Sequence, residues 1–110
     1  MEISWNDFDK IDMRIGTIVR ATDFPKARNA SYQLHIDFGP LIGVKKTSAQ
    51  ITSLYNKQDL IGRQIVGVVN FPKKQIGPIM SECLLLGAVS GKDVTLLHPD
   101  VKVENGLRIS

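Results

Sequence analysis

The side chains that most often carry out chemistry are sparse in this chain. Two histidines are present, His35 and His98. His35 falls on the polar face of an alternating stretch and His98 precedes a proline, settings more typical of surface residues than of a general base or a metal ligand. The single cysteine, Cys83, opens an apolar run. It reads as a small core residue, because a reactive thiolate needs exposure and nearby positive charge. One cysteine excludes an internal disulfide and cannot by itself supply a zinc site. Ser81 and Glu82 adjoin, but no base is paired with them in sequence. The acids lack the spacing of a calcium loop or a glycosidase pair. Gly62 and Gly67 read as strand and turn glycines rather than parts of a phosphate loop. No metal or cofactor is expected, and an enzyme is the least favoured class.

Binding residues are more concentrated. The segment Asn70-Phe71-Pro72-Lys73-Lys74-Gln75-Ile76-Gly77-Pro78-Ile79-Met80-Ser81-Glu82 lies before the apolar run Cys83-Leu84-Leu85-Leu86-Gly87. It reads as a loop whose prolines and glycine set its shape at low entropic cost. Phe71 and Ile76 would then stand out as apolar contacts while Lys73 and Lys74 handle negative charge. The alternative is that Phe71 and Ile76 plug one end of the fold. Charge is unevenly spread along the chain: residues 1–13 sum to −3, residues 81–110 to −1, and residues 14–80 to +7, with ten Lys and Arg against three Asp. The central excess would attract phosphates or an acidic partner if its side chains share a face, and is otherwise a solvated surface.

The elements that must position these residues are mostly strands. Met13, Ile15, Thr17, Val19 and Ala21 alternate with Arg14, Gly16, Ile18 and Arg20, and Tyr32, Leu34, Ile36 and Phe38 alternate with Gln33, His35 and Asp37. Such a period of two buries one face of a strand and turns His35 outward. Leu41–Val44, Gln64–Val69, Cys83–Val89 and Val94–Leu97 complete six short strands, with Ser90-Gly91-Lys92-Asp93 as a hairpin turn. Two brief helices are expected. One starts at Ser4, with Asp7 completing an imperfect capping box, and the other starts at Ser48 with Ile51, Leu54 and Tyr55 on one face. Trp5 and Phe8 on the first helix need a cover, either the barrel or a second subunit. The tail Val101–Ile109 alternates, with Asn105-Gly106 as a hairpin turn.

At 110 residues, with 43% hydrophobic and 23% charged residues, the chain fits one domain, 1–110, able to fold without staples. Its acidic start lacks the basic segment and apolar core of a signal peptide. No apolar run approaches the roughly 20 residues of a membrane helix. A cytoplasmic protein without membrane insertion is expected.

Nearly the whole chain resembles the tRNA-binding-domain type of OB-fold found at the C-terminus of many methionyl-tRNA synthetases and in free-standing dimeric tRNA-binding proteins. The resemblance rests on Phe8-Asp9-Lys10-Ile11-Asp12-Met13-Arg14-Ile15-Gly16, Lys46-Thr47-Ser48-Ala49-Gln50-Ile51-Thr52, Asn70-Phe71-Pro72 and Ser81–Gly87. It implies an all-β fold, a five-stranded OB-fold barrel with a short N-terminal helix, a short helix inside the barrel connection and a C-terminal extension. Cys83-Leu84 stands where tRNA-binding relatives have Gly-Met. Phe24-Pro25-Lys26-Ala27-Arg28-Asn29-Ala30-Ser31-Tyr32 replaces their His-Pro stretch and is one residue longer. Both departures resemble a secretion-chaperone subgroup whose members bind unfolded chains and assist export.

The resemblance therefore implies an ATP-independent chaperone for unfolded precursor-protein segments, with the export machinery as a further partner. The alternative is a tRNA-binding protein acting in trans, with weak tRNA binding as background to the chaperone reading. The expected peptide pocket is Lys46, Ser48, Asn70, Phe71, Pro72, Ile76, Met80 and Ser81. The expected RNA contacts are Arg14, Tyr32, Lys45, Lys46, Lys73, Lys74 and Ser81, with Tyr32 and Phe71 as stacking platforms. A homodimer would be sealed by Trp5, Phe8, Leu107 and Ile109.

Overall fold

A computed structural model describes residues 1–25 and 29–110. Five antiparallel strands form the principal sheet: β1 (Met13–Asp23), β2 (Tyr32–Asp37), β3 (Val44–Ala49), β4 (Gln64–Val68) and β7 (Leu84–Leu85). Their order is β3-β2-β1-β4-β7, which curls into a nearly closed barrel. Two hairpins are added, β5 (Lys74–Ile76) with β6 (Ile79–Ser81), and β8 (Gly87–Ser90) with β9 (Asp93–Leu96). Helices α1 (Trp5–Asp9) and α2 (Lys57–Leu60) are one turn or little more.

The alternation in β2 is realised: Tyr32, Leu34 and Ile36 are buried and the residues between them half-buried. With Ile18, Phe38, Leu60 and Ile65 they form the core, each such side chain contributing roughly 1.5–3 kcal/mol by leaving water. In β1 the alternation slips. Ile18 opposes Ile36 and Arg20 opposes His35, so Val19 is an extra residue in a bulge. The bulge turns Ile18 into the core and leaves Val19 exposed, reversing the face expected for both.

Several boundaries differ from the sequence expectations. Residues 41–43 are a turn rather than a strand, because Gly39 and Gly43 adopt φ of +90° and +85° and the Gly43 N–H closes onto the Gly39 carbonyl at 2.7 Å. The strand starts at Val44 and carries Lys45, Lys46, Thr47 and Ser48, so no helix begins at Ser48. Ile51 enters the core from a loop, Leu54 is exposed, and the helix forms later as α2. The run Cys83–Val89 divides at Leu86 into β7 and β8, because the chain changes partners there: Leu86 N–H still donates to Val66 O of β4, the partner of β7, at 3.0 Å, while its carbonyl accepts from Leu97 N–H at 3.4 Å beside β9. The capping box at Ser4 is present in full, with Ser4 Oγ accepting from the Asp7 N–H and Asp7 Oδ2 accepting from the Ser4 N–H.

The tail does not fold on itself as a hairpin. It lies against β1: Ile15 N–H donates to Leu107 O at 3.0 Å, Gly106 N–H to Ile15 O at 2.7 Å and Ile109 N–H to Met13 O at 2.9 Å. Asn105 Oδ1 accepts from Thr17 Oγ1 and from Gln64 Nε2. Gln64 also pairs in both directions with the Val103 main chain. The Asn105-Gly106 turn itself forms, with the Leu107 N–H donating to the Glu104 carbonyl at 3.4 Å, but its arms pair with β1 and with Gln64 of β4 instead of with each other. Gly106, at φ +95°, sits where an added Cβ would come 2.7 Å from the Phe38 carbonyl oxygen.

Candidate binding groove

The barrel is stitched shut between β3 and the stretch after β6, but only over a short length. Glu82 N–H donates to Lys46 O at 2.8 Å, and Lys46 N–H donates to Glu82 Oε1 at 2.9 Å. Buried Thr47 donates its hydroxyl to Cys83 O at 2.9 Å and lies 3.0 Å from Ser81 Oγ. The Lys46 N–H bond, and after burial is offset the nearby Lys73 ammonium at 3.4 Å, hold the Glu82 carboxyl below its usual range. Burial, reinforced by the Glu82 charge, pushes the Cys83 thiol up to about 12. Cys83 is thus an inert floor residue.

Beyond this seam β3 and β7 part, leaving a groove of about 520 Å³. One wall is the β3 end, Thr47 to Ile51, and the other is Leu84, Leu85, Leu86, Gly87 and Val89, with Lys74, Ile76 and Ser81 of the β5–β6 hairpin at the rim. A second cavity of about 210 Å³ lies beside it, formed by Phe71, Pro72, Lys74, Ser81, Cys83 and Leu84. The two share Lys74, Ser81, Cys83 and Leu84. Together they make one elongated apolar surface with a positive charge at its edge. Phe71, Leu84 and Val89 are exposed on it.

Ser48, Phe71, Pro72, Ile76 and Ser81, all expected at a peptide pocket, line this surface. The expected loop is in fact the β5–β6 hairpin, turning at Gly77-Pro78. Its pairing buries Ile79 and leaves Met80 exposed on the other side, outside both cavities. Phe71 is 55% exposed, so it does not plug the barrel end. Asn70 is a clamp: its Oδ1 accepts from Asp12 N–H at 3.0 Å and its Nδ2 donates to Lys10 O at 2.7 Å, tying α1 to the barrel. Lys46 projects outward beside the seam and lines neither cavity.

The expected RNA contacts do not all converge. Tyr32 is buried, its hydroxyl donating to Tyr55 O at 2.7 Å, which leaves no ring face for a base. Arg14 is spent on Asp12 at 2.6 Å and on Gly106 O at 3.0 Å. Lys73 pairs with Glu82. Lys45, Lys46 and Lys74 form no ion pair among the described residues. Lys26 and Arg28, part of the central basic excess, lie outside the described residues.

His35 faces the outer side of the sheet as expected but is half-buried, with its Nδ1 enclosed and unpartnered among the described residues. His98 is exposed and donates Nδ1–H to Pro99 O at 2.8 Å. Trp5 and Phe8 line a cavity of about 350 Å³ with Ile3, Ser4 and Ser110. Trp5 is 86% exposed, so the barrel does not cover it. Leu107 is exposed and Ile109 half-buried, both on the tail that pairs with β1. The sequence reading missed Leu84, Leu86 and Val89 as site residues. The signal was the unbroken Leu84-Leu85-Leu86 run, in which both strand faces are apolar although only one can reach the core.

Among the described residues no three His, Cys, Asp or Glu side chains gather as a metal site, and no helix is long and apolar enough to cross a membrane.

Comparison with known proteins places this architecture. Residues 13–108 match the family model described as "Putative tRNA binding domain". The solved structure of chaperone CsaA from Bacillus anthracis superposes with a TM-score of 0.95 at 48% identity, covering all of both chains. That of the CsaA chaperone protein from Picrophilus torridus gives 0.94 at 50% identity, covering 99% of this chain and 100% of that one. The methionine–tRNA ligase of Thermococcus onnurineus is 36% identical over 107 residues, 97% of this chain. The chain spans about 14% of that ligase, so the match is to one domain of an enzyme and not to the enzyme. An OB-type barrel matched over its full length by CsaA structures, with a family model over residues 13–108, leaves one assignment: this chain belongs to the tRNA-binding-domain family, in its CsaA branch.

Proposed function

We propose that the protein is a non-enzymatic, ATP-independent chaperone that holds unfolded segments of precursor proteins in support of export. The observation that carries this reading is the continuous apolar surface from Phe71 through Leu84 to Val89, open to solvent beside the unpaired Lys74. A soluble domain seldom leaves such a patch uncovered without a client. Its leucine and valine lining suits an apolar chain, and the lysine at the rim favours acidic or carbonyl-rich flanks. The names of the CsaA structures support the same reading. The exposed Trp5 and its cavity beside Ser110 support a homodimer, in which two grooves would give a long client avidity. The test is Phe71→Ala combined with Ile76→Ala in the full chain. Affinity for an unfolded apolar peptide and suppression of aggregation should both fall while the fold is kept. Unchanged affinity in a folded double variant defeats the reading.

A second reading, tRNA binding in trans, is favoured by the family description and by the unpaired Lys45, Lys46 and Lys74. Competition between labelled tRNA and an unfolded peptide at about physiological salt separates the two. Submicromolar tRNA binding that the peptide cannot displace would put RNA first, whereas non-specific electrostatic association lies near 10⁻⁴ to 10⁻⁶ M.

A further inference from the structure

The free edge of β3 has a direction that its own ladder determines. Lys46 exchanges main-chain and side-chain bonds with Glu82, so its N–H and C=O face away from β2. Main-chain groups alternate sides along a strand. Lys45, Thr47 and Ala49 therefore bond to β2, and Ser48 presents its N–H and C=O on the same free side as Lys46. Glu82 covers that side at Lys46 only. At Ser48 the seam has opened into the groove. Among the described residues, the Ser48 N–H donates to no group outside the ladder, and its carbonyl receives only the Thr47 hydroxyl at 3.2 Å, a hydroxyl better placed toward Cys83 O at 2.9 Å.

The opposite wall repeats the pattern. Leu86 N–H donates to Val66 O at 3.0 Å, which turns the main chain of the preceding Leu85 away from β4 and toward the gap. Two unpaired main-chain positions thus lie on the walls of an otherwise apolar groove. Unpaired strand edges are templates for another strand.

We infer that an extended polypeptide segment binds here as an added strand, pairing its main chain with the β3 edge at Ser48 and laying alternate side chains against Leu84 and Val89. This rests on the chaperone reading and says how that site grips its client. Main-chain pairing reads no particular side chain, so it accepts many sequences, and the apolar wall supplies the preference for unfolded segments. A phosphate backbone suits neither the alternating N–H and C=O groups nor the leucines.

The test uses the full-length protein and a short apolar peptide with acidic flanks in three forms: unmodified, and N-methylated on alternate residues in either of two phases. The expected result is that one phase loses about tenfold or more in affinity and the other does not, since one pairing bond is worth about that factor. In the same complex, amide exchange at Ser48 should slow at least about tenfold. Equal affinity for the two methylated forms, or an unchanged Ser48 exchange rate in a bound complex, overturns strand addition while leaving the chaperone reading in place. Failure of the unmodified peptide to bind overturns both.

Discussion

The barrel is finished in two places, and the two differ in how completely their polar groups are used. Along β1 and β4 the C-terminal tail is knitted in by three main-chain bonds, the two-way Gln64–Val103 pair and the Asn105 side chain shared between Thr17 and Gln64. Along β3 the closure consists of Glu82, Thr47 and Cys83, and ends there. The first junction satisfies nearly every group it brings together, which is what a junction built for stability requires. The second leaves an edge, an apolar wall and unpaired lysines, which is what a binding surface requires. The same sheet thus has a tight end and a receptive one, and mutations should sort accordingly.

The largest effect is expected at the tight junction. Gly106→Ala forces a side chain into the left-handed region and against the Phe38 carbonyl, and should destabilise by about 2–4 kcal/mol in urea unfolding. A loss below about 1 kcal/mol would mean that the tail is not integral to the barrel. Next comes the short stitch: Thr47→Val keeps the shape but removes the closer of the two hydroxyls that donate to the Cys83 carbonyl, leaving Ser81 Oγ at 3.4 Å, for a loss of about 1–2 kcal/mol. On the receptive side the ranking inverts. Phe71→Ala should shift stability by no more than about 0.5 kcal/mol, as at other exposed positions, yet weaken unfolded-peptide binding several-fold in a fluorescence titration. If it destabilises more than Thr47→Val does, the contrast between the two regions fails.

The smallest effect is electrostatic. Glu82 has its carboxyl held below the ordinary 4.5, first by the Lys46 N–H and then by Lys73. A depressed folded value means that its contribution is fully present above about 4.5 and disappears as the pH falls through the lower folded value. Between about pH 5 and pH 3 the wild-type unfolding midpoint should therefore drop more steeply than that of Glu82→Gln. Parallel curves would show that the seam does not depend on this carboxylate.

What was legible in the sequence was whatever local chemistry decides. The period of two in residues 32–37 gave β2, Ser4 and Asp7 gave the cap of α1, and Ser90-Gly91 gave the β8–β9 turn. The misplacements occurred where distant partners override local preference. Lys45-Lys46-Thr47-Ser48 has weak strand propensity and becomes β3 because β2 offers it a ladder. Asn105-Gly106 makes the turn its composition suggests, but the arms it joins are claimed by β1 and β4 and not by each other. In the candidate site, the aromatic and lysine signal marked Phe71, Ile76 and Lys74, which the structure brings to one surface. The burial of Tyr32 and the clamp role of Asn70 were hidden, because the groups that claim them, Tyr55 and Lys10, are 23 and 60 residues away.

Cys83 also has a practical consequence. It is the single cysteine of the chain and is buried beneath the seam, with its thiol at about 12. At 6% exposure it can be alkylated only slowly, and a reagent that reaches it comes through the groove whose floor it forms. The rate of labelling is thus an intrinsic gauge of how open the receptive end is. It requires no engineered probe, and it can be read while a client is present or absent.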